Sequence, residues 1–211
     1  MLISHKHRFI FVHIYKNAGT SITSALLPFA ARNKAHFLMI RLMGKLKLRL
    51  PANLNPAFMA DHSSAGQIIE RIGLEKFDEY FSFAFVRNPW DWQVSLYNFM
   101  RKNEKHHQHK LSMSFKNFDD YIAWRCNNEV RFQKSFIFSE DNKQQVDFIG
   151  KYEELNADFA NICRRLEIQA SLPTLNVSKT RPYQSYYNAK TIELVRETFA
   201  PDILAFNYAF E

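Results

Sequence analysis

Glycine is scarce in this chain, with five residues in 211, and none precedes Lys16. A phosphate loop of the G-x-x-x-x-G-K-[ST] type needs an early glycine and a lysine after the second one, whereas here Lys16 comes before Gly19. That order speaks against an ATPase or GTPase. Cysteine is nearly absent too: Cys126 and Cys163 stand far apart with no C-x-x-C pair, which excludes a disulfide framework and suits a reducing, cytoplasmic location. No stretch reaches the roughly 18 consecutive apolar residues of a membrane span. The opening MLISHKHRFIFVHIY has an apolar run broken by His13 and no small-residue cleavage site after it, so it reads as a strand and not as a signal peptide. A soluble protein is expected. Acidic residues are the minority, 21 against 28 Lys and Arg for a net charge of +7, which favours anionic partners without choosing among nucleotides, acidic glycans, nucleic acid and lipid headgroups.

What is present is a core. With 46% hydrophobic and 15% aromatic residues, residues 1–211 can form one domain. RFIFVHI at 8–14 is a strand-forming run, followed by a glycine-containing loop and the helix-compatible TSITSALLPFAAR. FSFAFVR at 81–87 repeats the theme and leads through Asn88-Pro89 into WDWQVSLYNFMRK, with Pro89 suited to a first helical turn. VDFIGKY at 146–152 precedes a stretch in which Leu155, Phe159, Ile162, Cys163 and Leu166 fall at helical spacing. Such alternation implies an α/β layered domain whose ligand site lies beyond the carboxyl ends of parallel strands. Residues 33–60 and 103–114 read as insertions beside that site.

In HIYKNAGTS, Gly19 permits close backbone approach, the helix that follows offers unpaired amides and a positive dipole end, and Thr20 and Ser21 add hydroxyls. The stretch Lys16, Asn17, Ala18, Gly19, Thr20, Ser21 is therefore a candidate anion cradle, in which Lys16 brings a charge able to stabilise a leaving phosphate. Alone, the same residues make an ordinary turn with a helix cap. About 70 residues later, Arg87 ends the second strand where an NTPase would place an acidic Mg²⁺ ligand, and no feature of the sequence calls for a metal.

FVRNPWDWQVSLY together with HIYKNAGTS resembles the paired signature of the sulfotransferase superfamily, nearest its carbohydrate branch and short bacterial relatives; FIGKYEEL and the segment from NVSKTRPYQSYY onward are similar to the family's C-terminal half. The resemblance implies a P-loop-like three-layer fold, a central mainly parallel sheet flanked by helices. It implies 3'-phosphoadenosine 5'-phosphosulfate as donor: residues 16–21 hold the 5'-phosphosulfate, Arg87 and Ser95 the 3'-phosphate, Tyr152 contacts the adenine, and Lys179 and Arg181 lie in a polar segment that closes over the donor. From the residues alone Tyr152 is equally a core strand residue, and Lys179 and Arg181 are ordinary loop cations. Two positions depart, since relatives often carry Pro where Tyr15 stands and Arg where Trp92 stands. An acceptor hydroxyl needs a base, and the resemblance points to His62 in MADHSSAGQIIERIG, with Asp61 as a cap or as its orienting partner; Asp61 or Ser63 capping a helix beside an exposed His62 is the plainer reading.

His13 is read as a core residue of the first strand. His106, His107 and His109 are flanked by Lys105 and Lys110 and match no zinc spacing, so they read as a solvated loop. The stripe RLMGKLKLRL at 41–50 is a solvated face, a basic wall for an acidic acceptor, or a membrane-surface patch near a lipid-linked glycan. The expected acceptor is a carbohydrate or glycolipid hydroxyl, nucleic acid is not an expected partner, and the protein is expected to be a monomer or weak dimer. Two other functions compete: a nucleotide kinase with a degenerate phosphate loop, and a non-enzymatic polyanion-binding module.

Overall fold

The computed structural model describes residues 1–30, 38–40, 42–43, 46, 48, 62–173 and 181–211. Asp61, Lys179 and the cations of the 41–50 stretch lie outside the described residues. The chain forms two compact units, Met1–Val86 with Phe136–Asn176, and Arg87–Ser135 with Val177–Glu211.

The first unit is built on a four-stranded sheet in the order β1-β2-β3-β4, with β1 at Leu2–Ser4, β2 at Phe9–Val12, β3 at Phe81–Val86 and β4 at Phe148–Lys151. β2, β3 and β4 run parallel. β1 is antiparallel to β2, so the opening run is a hairpin and not one strand; the chain reverses through His5–Arg8, where Arg8 takes a left-handed φ of 48°. Alternate strand residues face opposite sides. Phe9, Phe11, Phe83 and Phe85 join Ile22 and Leu26 of α1 (Gly19–Ala30) and Phe159, Ile162 and Cys163 of a later helix, Leu155–Arg165, in one core cluster. Ile10, Val12, Ala84 and Val86 on the opposite face are buried as well, as parallel strands require. This is the mainly parallel α/β sheet expected from the alternation.

Two short helices, α2 (Ala65–Ile72) and α3 (Leu74–Asp78), precede β3. Ser64, not Asp61 or Ser63, is the N-cap of α2: its hydroxyl accepts from the Gln67 amide while the Gln67 side chain accepts from the Ser64 amide, a reciprocal capping box. Gly150 of β4 has a packing reason, since a Cβ there would lie 2.5 Å from the Phe85 ring.

The second unit begins where β3 ends. It holds α4 (Pro89–Lys102), α5 (His109–Ser114) and α6 (Phe118–Asn128); the first unit's Leu155–Arg165 helix is α7, and α8 (Ala189–Thr198) and α9 (Ala200–Phe206) complete the second unit. Asn88 caps α4 by accepting from the Trp90 amide, and Pro89 occupies the first turn. Trp90 donates its indole N–H to the carbonyl of Ile192, and Tyr187 donates to the carbonyl of Trp90. Trp92, fully buried, packs edge-on against Phe199. The aromatic at this departing position is therefore a core residue of its unit. Asp202 at the start of α9 accepts from the amides of Gln133 and Lys134 at 2.8 and 2.9 Å; burial dominates these contacts and raises its pKa to about 6. No helix among the described residues is long and apolar enough to cross a membrane.

Candidate active site

In the parallel sheet, Val12 pairs with Ala84 and Val86 with Lys151, so β2, β3 and β4 all end on one edge. The loop 13–18 leaves that edge after β2, and Tyr152, first residue of a 3-10 turn, leaves it after β4. This is the carboxyl edge anticipated from the alternation.

The loop has an unusual backbone. Lys16 and Ala18 both take left-handed conformations, with φ of 65° and 58°, each costing about 1–2 kcal/mol for a residue with a Cβ. Left-handed residues alternating along a turn point successive N–H groups toward one concavity, the arrangement of anion-binding nests. The helix opens there: the Ile22 amide donates to the Ala18 carbonyl, so Gly19, Thr20 and Ser21 supply first-turn amides that have no intrahelical acceptor. Thr20 is exposed and Ser21 is buried. Asn17 is buried, and its amide nitrogen donates to the Phe85 carbonyl at 2.8 Å. Its side chain thus tethers the loop to β3, and the local strain is held by the sheet beneath it.

Gly19 serves a second purpose. A Cβ on it would lie 1.7 Å from Nε2 and 1.9 Å from Cδ2 of His13, so the imidazole occupies the place of a side chain at the start of α1. His13 follows β2 directly, half-buried at the site edge, where its ring stacks on Phe11. The core position expected for it is corrected accordingly: the strand ends one residue earlier, and the ring turns onto the loop. Burial first, then the positive N-terminal ammonium and His62, lower its pKa to about 3. The ring is neutral at physiological pH.

His62 is exposed and stands over this pair. Its Nδ1 lies 3.2 Å from the His13 carbonyl oxygen; a carbonyl only accepts, so Nδ1 carries the proton and Nε2 the lone pair. The His62 ring meets those of His13 and Tyr15 edge-on at 4.7 and 5.8 Å between centroids. Tyr15, the other departing position, therefore packs against His62 as well as against Phe136. His62, the loop and Tyr152 all belong to the first unit.

In the second unit Arg87 is nearly buried, and its Nε donates to Asp91 at 2.7 Å. The Arg87 amide donates to Gln133 Oε1, while the Gln133 amide group donates to the Arg87 carbonyl. Arg87, Asp91 and the half-buried Ser95 recur at four-residue intervals, so Asp91 and Ser95 share one face of α4. Arg181 rests over the Tyr186 ring, 5.2 Å from its centroid. Asp91, Gln133, Tyr15 and His13 as organisers of these groups were missed in the sequence; only Asp91 had a local signal, its i,i+4 spacing from Arg87. Of the histidine run, His109 Nδ1 lies 2.9 Å from the Met100 carbonyl and the rings of His106 and His107 stack.

The site is thus a loop with two left-handed residues at the carboxyl edge of a mainly parallel sheet, opening α1 and faced by His62, in an α/β domain. The sequence matches the Sulfotransferase family over residues 1–209, and the chain belongs to that family: it is a sulfotransferase. An uncharacterised protein of Archaeoglobus fulgidus is 31% identical over 110 residues, which span 51% of this chain and 85% of the relative. The fold is similar to that of mouse sulfotransferase SULT7A1, solved in complex with PAP, with a TM-score of 0.51 and 13% identity over 96% of this chain and 86% of that one.

Proposed function

We propose that the chain takes a sulfuryl group from 3'-phosphoadenosine 5'-phosphosulfate at the 16–21 loop and passes it to a hydroxyl of a carbohydrate or glycolipid. The left-handed backbone at Lys16 and Ala18, directly before the first turn of α1, carries this reading, because such strain is maintained where successive amides must face one anion. The donor reading also draws on the PAP bound in the mouse sulfotransferase of similar fold.

The acceptor oxygen attacks sulfur in line as the bond from sulfur to the bridging phosphate oxygen breaks. Electrons return to that oxygen, and Lys16 with the loop amides stabilises the charge that develops there. His62 Nε2 removes the acceptor proton. Arg87 and Ser95 hold the 3'-phosphate, a group remote from the reacting bond whose binding energy orients the donor. Asp91, by engaging Arg87 Nε, aims the guanidinium; Tyr152 lies beside the adenine, and Arg181 and Lys179 cover the donor. The products are a sulfate ester and adenosine 3',5'-bisphosphate.

Incubation with the donor and a mixture of oligosaccharides and glycolipids, followed by mass spectrometry, identifies the acceptor. With that acceptor, Lys16→Ala is expected to lower kcat about 10²–10³-fold and His62→Ala about 10²–10⁴-fold. Arg87→Ala should chiefly raise the donor KM. Unchanged turnover in Lys16→Ala would remove the loop from the chemistry.

A further inference from the structure

We infer that His13 is a positioning residue for the base: its imidazole, seated on Gly19, props the His62 ring while its own carbonyl fixes the His62 proton on Nδ1. This deepens the reading given under Proposed function and rests on it for the role of His62.

Three contacts converge on His13. Phe11 backs the ring, with centroids 5.7 Å apart and planes 18° from parallel. Gly19 lies against its Nε2 and Cδ2 edge, where even a methyl group would overlap it. His62 meets it edge-on at 4.7 Å and reaches back to its carbonyl at 3.2 Å. A ring held on these sides has one orientation, and it defines the surface against which His62 turns. Free imidazole has no such constraint; the partner of one ring nitrogen decides which nitrogen keeps the lone pair. The low pKa of His13 accords with this, because a cationic ring would repel His62 when it takes a proton. Gly19 is thus needed at the helix start for His13 as well as for an incoming anion, and the anion nest and the base are registered to each other through one imidazole.

The test uses ¹⁵N-histidine NMR on the full chain, so it needs no acceptor. In the wild type, neutral His62 should show protonated Nδ1 and unprotonated Nε2. In His13→Ala the backbone carbonyl remains but the ring that holds His62 against it is gone, so the His62 signals should move toward the opposite tautomer. Gly19→Ala should lower Tm by displacing the ring, and the double variant His13→Ala, Gly19→Ala should recover Tm, since the overlap is gone, without recovering the His62 tautomer. If His13 merely filled space, the methyl group introduced by Gly19→Ala would take its place, and the double variant would regain both. Protonated Nε2 in the wild type, an unmoved tautomer in His13→Ala, or its return in the double variant would each overturn the proposal. Titration of the same samples with adenosine 3',5'-bisphosphate separates the two readings. If the tautomer responds as expected but the bisphosphate does not bind, the donor assignment fails and the positioning role of His13 stands; if the bisphosphate binds and the tautomer does not respond, only the role of His13 fails.

Discussion

Half-buried His13 and buried Asp202 are titratable side chains pushed in the same chemical direction, toward their neutral forms, and this makes stability respond to acid in opposite senses. An unfolded His13 takes a proton near pH 6.5, but the folded one does so only at about 3, chiefly because of burial. Between those values the unfolded chain binds more protons, so stability falls as pH drops from about 6.5 toward 3, by a few kcal/mol at most. Asp202 is raised from 3.8 to about 6: its contribution is complete below about pH 4 and is lost as pH rises through 6. Urea midpoints followed from pH 7 to 4.5 should therefore decline less steeply in His13→Gln than in the wild type; parallel slopes would contradict a ring held neutral in the folded chain. Asp202→Asn should cost about 1–3 kcal/mol, because one of the two amides that Asp202 receives would face an NH₂ group. At this scale the sequence was least informative about His13. Phe9, Phe11 and His13 alternate as a strand face does, and nothing local says that β2 stops at Val12 and that the last of the three turns onto a glycine six positions ahead.

Elements were more legible where their signals are local. The Asn88-Pro89 start of α4 and the spacing of Phe159, Ile162 and Cys163 on α7 could be read directly, because a cap and an apolar stripe are properties of a few neighbouring residues. The β1–β2 hairpin was not, since the three residues of β1 gain their identity only from pairing with Phe9–Phe11. DHSS offered several capping residues in succession, and the choice fell to Ser64 because Gln67 completes the reciprocal box. Ser64→Ala should cost about 1 kcal/mol and lower Tm measurably, and a change under a few tenths of a kcal/mol would show that the box carries no weight. In β4, Gly150→Ala drives a methyl group into the Phe85 ring, an overpacking worth about 1–3 kcal/mol; differential scanning calorimetry checks it, with loss of cooperativity expected if β4 leaves the sheet.

For the whole molecule, the class was readable because two motifs stand in a fixed order, each at the end of a strand. The loop after β2 begins α1, and Arg87 follows β3 and precedes α4. What could not be read is how each motif is held: the Asn17 tether to Phe85, the Asp91 and Gln133 contacts of Arg87, and the rings around His62 all join residues through the fold or across a helix turn. The net charge of +7 adds a salt-sensitive attraction for an anionic donor. The central claim, a site for a nucleotide phosphorylated at both the 3' and 5' positions, is tested most directly by thermal titration in EDTA with adenosine 3',5'-bisphosphate, adenosine monophosphate and ATP. A ligand at 100 times its Kd stabilises by about 2.7 kcal/mol. The bisphosphate should raise Tm at concentrations where the other two do not, and Lys16→Ala and Arg87→Ala should each weaken that response. A bisphosphate no better than adenosine monophosphate, or a response to ATP that needs Mg²⁺, would contradict it.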